Sequence, residues 1–190
     1  MTVDKGPISF RKLTEADLPL MHRWRNKPHV AKWWKPPLIS PEDLIRKYMP
    51  RINGEVPTTC YVILYGGKPV GMVQSYRIDD YPTHRTMIDL DCRAAGIDIF
   101  IGEEDHVNRG LGSLIIRKFL NDIVFANYGV DCCITDPEPE NEAAIKAYSK
   151  AGFKYVKTVR NHQDNLDAYV MSKSRNETTP QKEDPPAAIL

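Results

Sequence analysis

Asn108-Arg109-Gly110-Leu111-Gly112-Ser113 stands between the apolar run Ile97-Asp98-Ile99-Phe100-Ile101 and a helical pattern from Leu114 to Phe125. A strand that enters a glycine-rich turn and leaves it as a helix presents unpaired backbone N–H groups. The helix dipole adds a favourable field for an anion at the same point. Gly110 and Gly112 remove the side chains that would hold a phosphate away from those donors. The same arrangement also serves simply to close a strand–helix connection, and the turn alone does not choose between the two readings.

Working outward, Ile8 to Leu13 alternates apolar and polar residues as a half-buried strand does. Thr14-Glu15-Ala16-Asp17 supplies a cap and early acids for a helix toward Asn26, and Ser40-Pro41 opens a second helix over 44–52. Tyr61 to Tyr65, Gly66-Gly67 and Pro69 to Tyr76 read as a hairpin with a two-glycine turn. The polar, acid-rich segment 79–93 reads as loop. A strand over 96–101, the helix after Gly112, a strand near 131–135 and a helix over 141–150 stopped by Gly152 follow. Strands at 155–160 and 168–173 flank a turn around 161–165. The order predicts an α/β domain with one mixed, mostly antiparallel sheet and helices on both faces. Residues 1–173 form that single domain, and 174–190, with three prolines among charges, read as a disordered tail.

Composition narrows the function classes. A chain of 190 residues supports one domain with a substantial core. Its 26 basic and 25 acidic side chains leave a net charge of +1, which argues against a nucleic-acid binder. No apolar run is long enough to span a membrane and no signal region opens the chain, so a cytoplasmic location is expected. Cys60, Cys92, Cys132 and Cys133 show no Cys-x-x-Cys spacing and are read as reduced packing residues. The five histidines form no His-x-x-x-His pair, and no metal is expected.

A second motif resolves the first. Asn141-Glu142-Ala143-Ala144-Ile145-Lys146-Ala147-Tyr148-Ser149-Lys150-Ala151-Gly152-Phe153 resembles the Asn-x-x-Ala-x-x-x-Tyr-x-x-x-Gly-Phe helix of the GNAT acetyltransferase superfamily. Asn141, Ala144 and Tyr148 share one helix face. The resemblance implies the GNAT fold, with acetyl-CoA as co-substrate. The superfamily's loop usually begins with Gln or Arg, where this chain has Val107; the donors that matter there are backbone groups. A closer resemblance, over roughly 10–175, is to aminoglycoside 6′-N-acetyltransferases. It rests on Ala31-Lys32-Trp33-Trp34, Val70 to Tyr76, Ala95-Gly96-Ile97-Asp98 and Thr135-Asp136-Pro137. It implies acetyl transfer to the 6′-amine of a polycationic antibiotic. Acyltransferases for siderophore hydroxylamines share the layout, and polyamines or other small amines are further alternatives. The oligomer is expected to be a monomer or homodimer.

Amine acetylation needs a neutral nucleophile, a stabilised oxyanion and a proton for the departing thiolate. Alkyl amines titrate at roughly 8–10, so a carboxylate that attracts the cation and takes its proton is useful. Asp98, between Ile97 and Ile99, is the candidate base, against the alternative of a loop-capping acid. Tyr148 is the candidate acid, against a core aromatic. Pantetheine is expected along Ile99, Phe100 and Ile101, and pyrophosphate on Val107, Asn108, Arg109, Gly110, Leu111, Gly112 and Ser113. Asn141 and Ala144 complete the donor side. Acids dominate 79–105 and would draw a polycation. Asp91, Asp136 and Asp164 are candidate acceptor contacts. Trp33 and Trp34 either stack on the acceptor or are structural, with one ring predicted to face the core and one a cleft. Gln74 and Tyr76 share a strand face and are expected to line that cleft.

Overall fold

A computed structural model describes residues 6–161 and 166–176. Seven strands form one sheet: β1 (Ile8–Lys12), β2 (Thr58–Tyr65), β3 (Lys68–Arg77), β4 (Ala94–Ile101), β5 (Cys132–Thr135), β6 (Lys154–Asn161) and β7 (Leu166–Ser174). Their spatial order is β1-β2-β3-β4-β5-β7-β6. Every neighbouring pair is antiparallel except β4–β5, which is parallel. The mixed, mostly antiparallel sheet is therefore as the element order predicts. Among the described residues no helix is long and apolar enough to cross a membrane.

The helices are α1 (Leu18–Arg25), α2 (Pro28–Ala31), α3 (Pro41–Ile52), α4 (Pro82–Ile88), α5 (Leu111–Phe119), α6 (Phe125–Asn127) and α7 (Glu142–Lys150). Period-two alternation divides each strand between two cores. Ala95 and Ile97 of β4 pack with Ile115, Ile116 and Phe119 of α5 and with Tyr148 of α7. Phe119 meets Phe10 and Tyr61 edge-on, with ring centroids at 5.0 and 5.3 Å. On the other face, Phe100 of β4 and Met72 of β3 pack with Trp24 of α1 and with Leu44 and Tyr48 of α3. The predicted cap before α1 is present in a stronger form. Thr14 N–H and Oγ1–H donate to Asp17, which also receives two N–H bonds from Arg11 at 2.6 and 2.7 Å.

Four expectations are corrected. The segment 79–93 is not simply loop, because α4 forms within it. Pro82 presets the first helical turn, Ile88 is fully buried, and Asp89 in the left-handed region (φ 44°) ends the helix. Seven residues are too few for a helical period to stand out among acids. The cysteines are not all reduced: Cys92, just beyond α4, is joined to Cys132 on β5, while Cys60 and Cys133 are buried free thiols. A separation of 40 residues hides that pairing from any local spacing rule. The helix after the glycine turn starts at Leu111 rather than Leu114, and passes through a π-helical stretch over Leu120–Val124 before α6. The last strand continues to Ser174, and Arg175 N–H donates to the Asp131 carbonyl.

Candidate active site

The parallel pairing of β4 with β5 stops at Gly96 opposite Ile134, although β4 runs on to Ile101. Beyond that point the strands have no shared ladder, and a cleft of about 280 Å³ opens there. Asp98 projects to the face that holds α3 and α4, whereas Tyr148 belongs to the core on the opposite face. Both nevertheless line the same cleft, together with Trp33, Trp34 and Gln74. The gap in the sheet is what lets groups from its two faces meet.

Asp98 accepts a hydrogen bond from Gln74 Nε2 at 2.7 Å, and Gln74 Oε1 accepts one from Arg51 Nη1 at 2.9 Å. The carboxylate is thus oriented by a chain that reaches back to α3. Burial pushes its pKa above the ordinary carboxylate value, and the nearby Asp136 charge adds to the shift. Gln74, His84 and Arg51 oppose it. A raised carboxylate is a better proton acceptor than a free one. Tyr148 is 4 % exposed, and burial pushes its phenol well above the ordinary value, with a hydrogen bond to Thr135 pulling the other way. It therefore stays a neutral donor of a hydrogen bond across any working pH.

On the donor side, Asn108 (φ 60°) and Gly110 (φ 80°) turn the chain into α5. A Cβ on Gly110 would meet nothing within 4 Å, so the outer face of the turn is open, and the first N–H groups of α5 have no partner one turn back. Ser113 Oγ is committed to the Gly110 carbonyl at 3.0 Å. Leu111 and Phe100 are buried, so only their backbones are available to a ligand. Arg109 is exposed and Val107 partly so. His29 Nε2 occupies the Ile101 carbonyl at 2.9 Å. Ile99, Asn141 and Ala144 line the cleft, and the Asn141 side-chain Oδ1 caps α7 by accepting from Ala144 N–H at 3.2 Å.

The acceptor side differs from its sequence reading in several places. The Trp33-Trp34 segment is a turn continuing α2, not strand-like, since both N–H groups donate to the Val30 carbonyl. Trp34 packs edge-on against Phe100 at 5.0 Å, and fully buried Arg25 donates to its carbonyl at 2.9 Å. Trp33 carries Lys32 over its ring at 4.4 Å. Tyr76 does not line the cleft with Gln74. Its ring lies under Gly96, where any Cβ would come within 2.5 Å of it, and is buried beside Ile78 and Ile88. Asp91 is exposed between α4 and β4, away from the cleft lining, and Asp164 lies outside the described residues. Asp136 lines the cleft and is hydrogen-bonded to His84 at 3.1 Å.

The acids of 79–105 do not form one surface. Glu103 accepts from Trp24 Nε1 and Lys27 Nζ, and Asp79 pairs with Arg85. Four side chains escaped assignment from sequence: His84, Arg51, Lys35 and Glu138. Lys35 and Glu138 both line the cleft and pair at 3.1 Å. His84 carries no motif, and the others act across the fold, so no local signal marks them.

A sequence model of the acetyltransferase (GNAT) domain matches residues 14–161. The chain belongs to the GNAT acetyltransferase family. It is 29% identical over 161 residues to aminoglycoside N(6′)-acetyltransferase type 1 of Klebsiella pneumoniae, covering 84% of this chain and 80% of that protein. Among solved structures it is similar to aminoglycoside acetyltransferase AAC(6′)-Ib in complex with coenzyme A. There the TM-score is 0.77 at 27% identity, over 89% of this chain and 95% of that one. The same enzyme in complex with coenzyme A and kanamycin gives a TM-score of 0.76 at 27% identity, over the same shares of the two chains.

Proposed function

We propose that this protein transfers acetyl from acetyl-CoA to the 6′-amine of an aminoglycoside by direct attack. Asp98 accepts the proton of the incoming amine, directly or through one water. Tyr148 donates a hydrogen bond to the sulfur as the carbon–sulfur bond breaks, and the proton taken by Asp98 passes to solvent, from which the departing thiolate is protonated. The observation that carries the reading is the meeting of Asp98 and Tyr148 from opposite sheet faces in one cleft. The relatives named above support the donor and the acceptor class.

Each residue has a defined task. The backbone N–H groups of 110–113 at the start of α5 receive the pyrophosphate, and the open turn at Gly110 leaves room for it. The free edge of β4 at Ile99 hydrogen-bonds the pantetheine. The attacking amine loses its proton to Asp98, whose raised pKa narrows the gap between donor and acceptor. The thiolate leaves toward the neutral Tyr148 phenol. Asp136 and Trp33 hold the rest of the acceptor, the first by charge and the second by its ring face.

A second reading, acylation of a siderophore hydroxylamine or a polyamine, is favoured by a specific observation. His84 stands beside the acids of the cleft, and two of those acids, Asp136 and Glu138, already have basic partners. Thiol release from acetyl-CoA with kanamycin, tobramycin, spermidine and N6-hydroxylysine distinguishes the two. Turnover of kanamycin or tobramycin above the others is expected. Turnover of N6-hydroxylysine or spermidine with neither antibiotic accepted would replace the first reading by the second.

A further inference from the structure

α4 delivers one side chain that the mechanism above does not use. His84 lies one turn before the fully buried Ile88, on the inward face of the helix, with its ring 6.0 Å from that of Tyr76. Its Nε2 is 3.1 Å from Asp136 Oδ2, and the two side chains are only 19% and 20% exposed. Asp136 lines the cleft and His84 stands behind it. The short helix is pinned on several sides. Tyr81 is hydrogen-bonded to Thr58 on β2, Lys157 Nζ reaches the Asp89 carbonyl at 3.4 Å, and Cys92 is bonded to Cys132. The imidazole is thus held against a carboxylate that faces the acceptor.

We propose that His84 is a positioning residue for the acceptor: hydrogen-bonded to Asp136 from behind the cleft, it sets how much of that carboxylate's negative charge an acceptor amine meets. This rests on the acceptor being a cationic amine. With a neutral imidazole, Nε2–H donates to Asp136 and the full negative charge faces the cleft. With an imidazolium, the pair is neutral and a cation in the cleft loses its partner. Low exposure leaves little solvent to screen this difference.

The charged groups that face His84 are Asp136 from the β5–α7 connection and, further off, Asp98 from β4. Tyr76 from β3 is held neutral by burial. Arg85, the cation beside it on α4, is engaged with Asp79 and the Leu90 carbonyl, and Lys157 of β6 lies at the far end of the helix. Burial pulls the imidazole pKa down, but the hydrogen bond and charge of Asp136, with the charge of Asp98, leave it above the ordinary histidine value. Histidine is the side chain whose charge changes nearest neutral pH, and Asp136 moves that change upward. The sign is fixed: acceptor affinity rises as pH rises through this value, while acceptor amines titrating at roughly 8–10 stay cationic.

The test is the pH profile of acceptor KM, with kanamycin as the probe, in the wild type, His84→Gln and His84→Ala. Glutamine keeps an N–H donor for Asp136 and cannot take a charge. Over the pH range in which the His84 ring titrates, wild-type KM is expected to fall roughly five-fold, whereas His84→Gln stays at the low value throughout. His84→Ala, which leaves Asp136 unheld, should raise KM above that of His84→Gln at every pH, and acetyl-CoA KM should not move in any of them. A His84→Gln profile that follows the wild type overturns the inference. The His84 ring-proton NMR titration gives a readout independent of turnover: Asp136→Asn, or added kanamycin, should lower its midpoint. Turnover of kanamycin with an unmoved His84 midpoint overturns this inference alone; no turnover and no shift overturns the acceptor reading as well.

Discussion

On the proposed donor side of the cleft the chain offers backbone: the N–H groups at the start of α5 and the free edge of β4. On the acceptor side it supplies side chains held by other side chains, with Asp98 fixed by Gln74 and Arg51, Asp136 by His84, and Trp34 by Arg25 and Phe100. Backbone donors recognise a phosphate whatever the neighbouring residues are, so one short glycine motif suffices. A carboxylate aimed at an amine needs partners brought from distant elements. The donor side is thus specified locally and the acceptor side by the whole fold.

Variants on the two sides should separate in kinetics. The largest effect is expected where the sides meet: Asp98→Asn should lower kcat for kanamycin about a hundred-fold or more, because the proposed base is lost while its Gln74 hydrogen bond can be remade. An acetyl-CoA KM that rises in step with the lost kcat would place Asp98 on the donor side and break the division. Next is Gly110→Val, which puts a branched side chain at φ 80° on the open face of the turn. A rise of roughly ten-fold in acetyl-CoA KM is expected, from backbone strain and blocked approach, with kanamycin KM unmoved. Trp33→Ala should do the reverse and more weakly, raising kanamycin KM by about five-fold and leaving acetyl-CoA KM alone. Equal changes in both constants for either variant would contradict two separately built sides.

The same division sets what was legible in the sequence. Gly110 and Gly112 sit within one short run, Asn141, Ala144 and Tyr148 share a face within another, and the family resemblance joins the two. Period-two alternation predicts the strands, and Asp98 is proposed from the Gly-Ile-Asp resemblance. α4 escaped because seven residues carry under two helical turns and only Ile88 is fully buried on it. His84 carries no local signal, since its partner Asp136 lies 52 residues away. Tyr76 was placed on the correct strand face, yet that face leaves the cleft one residue pair beyond Gln74 and runs under Gly96. Likewise, nothing near Cys92 in the chain announces Cys132. Local order carried the sheet and the donor turn; long-range pairing carried the acceptor site.

The most direct measurement of the central claim is the product of the reaction with kanamycin, acetyl-CoA and purified protein, read by NMR at each amine. Acetyl on the 6′-nitrogen alone, at a rate that falls with Asp98→Asn, is the predicted result. Unmodified kanamycin, or acetylation that proceeds equally well without the Asp98 carboxylate, would contradict the account.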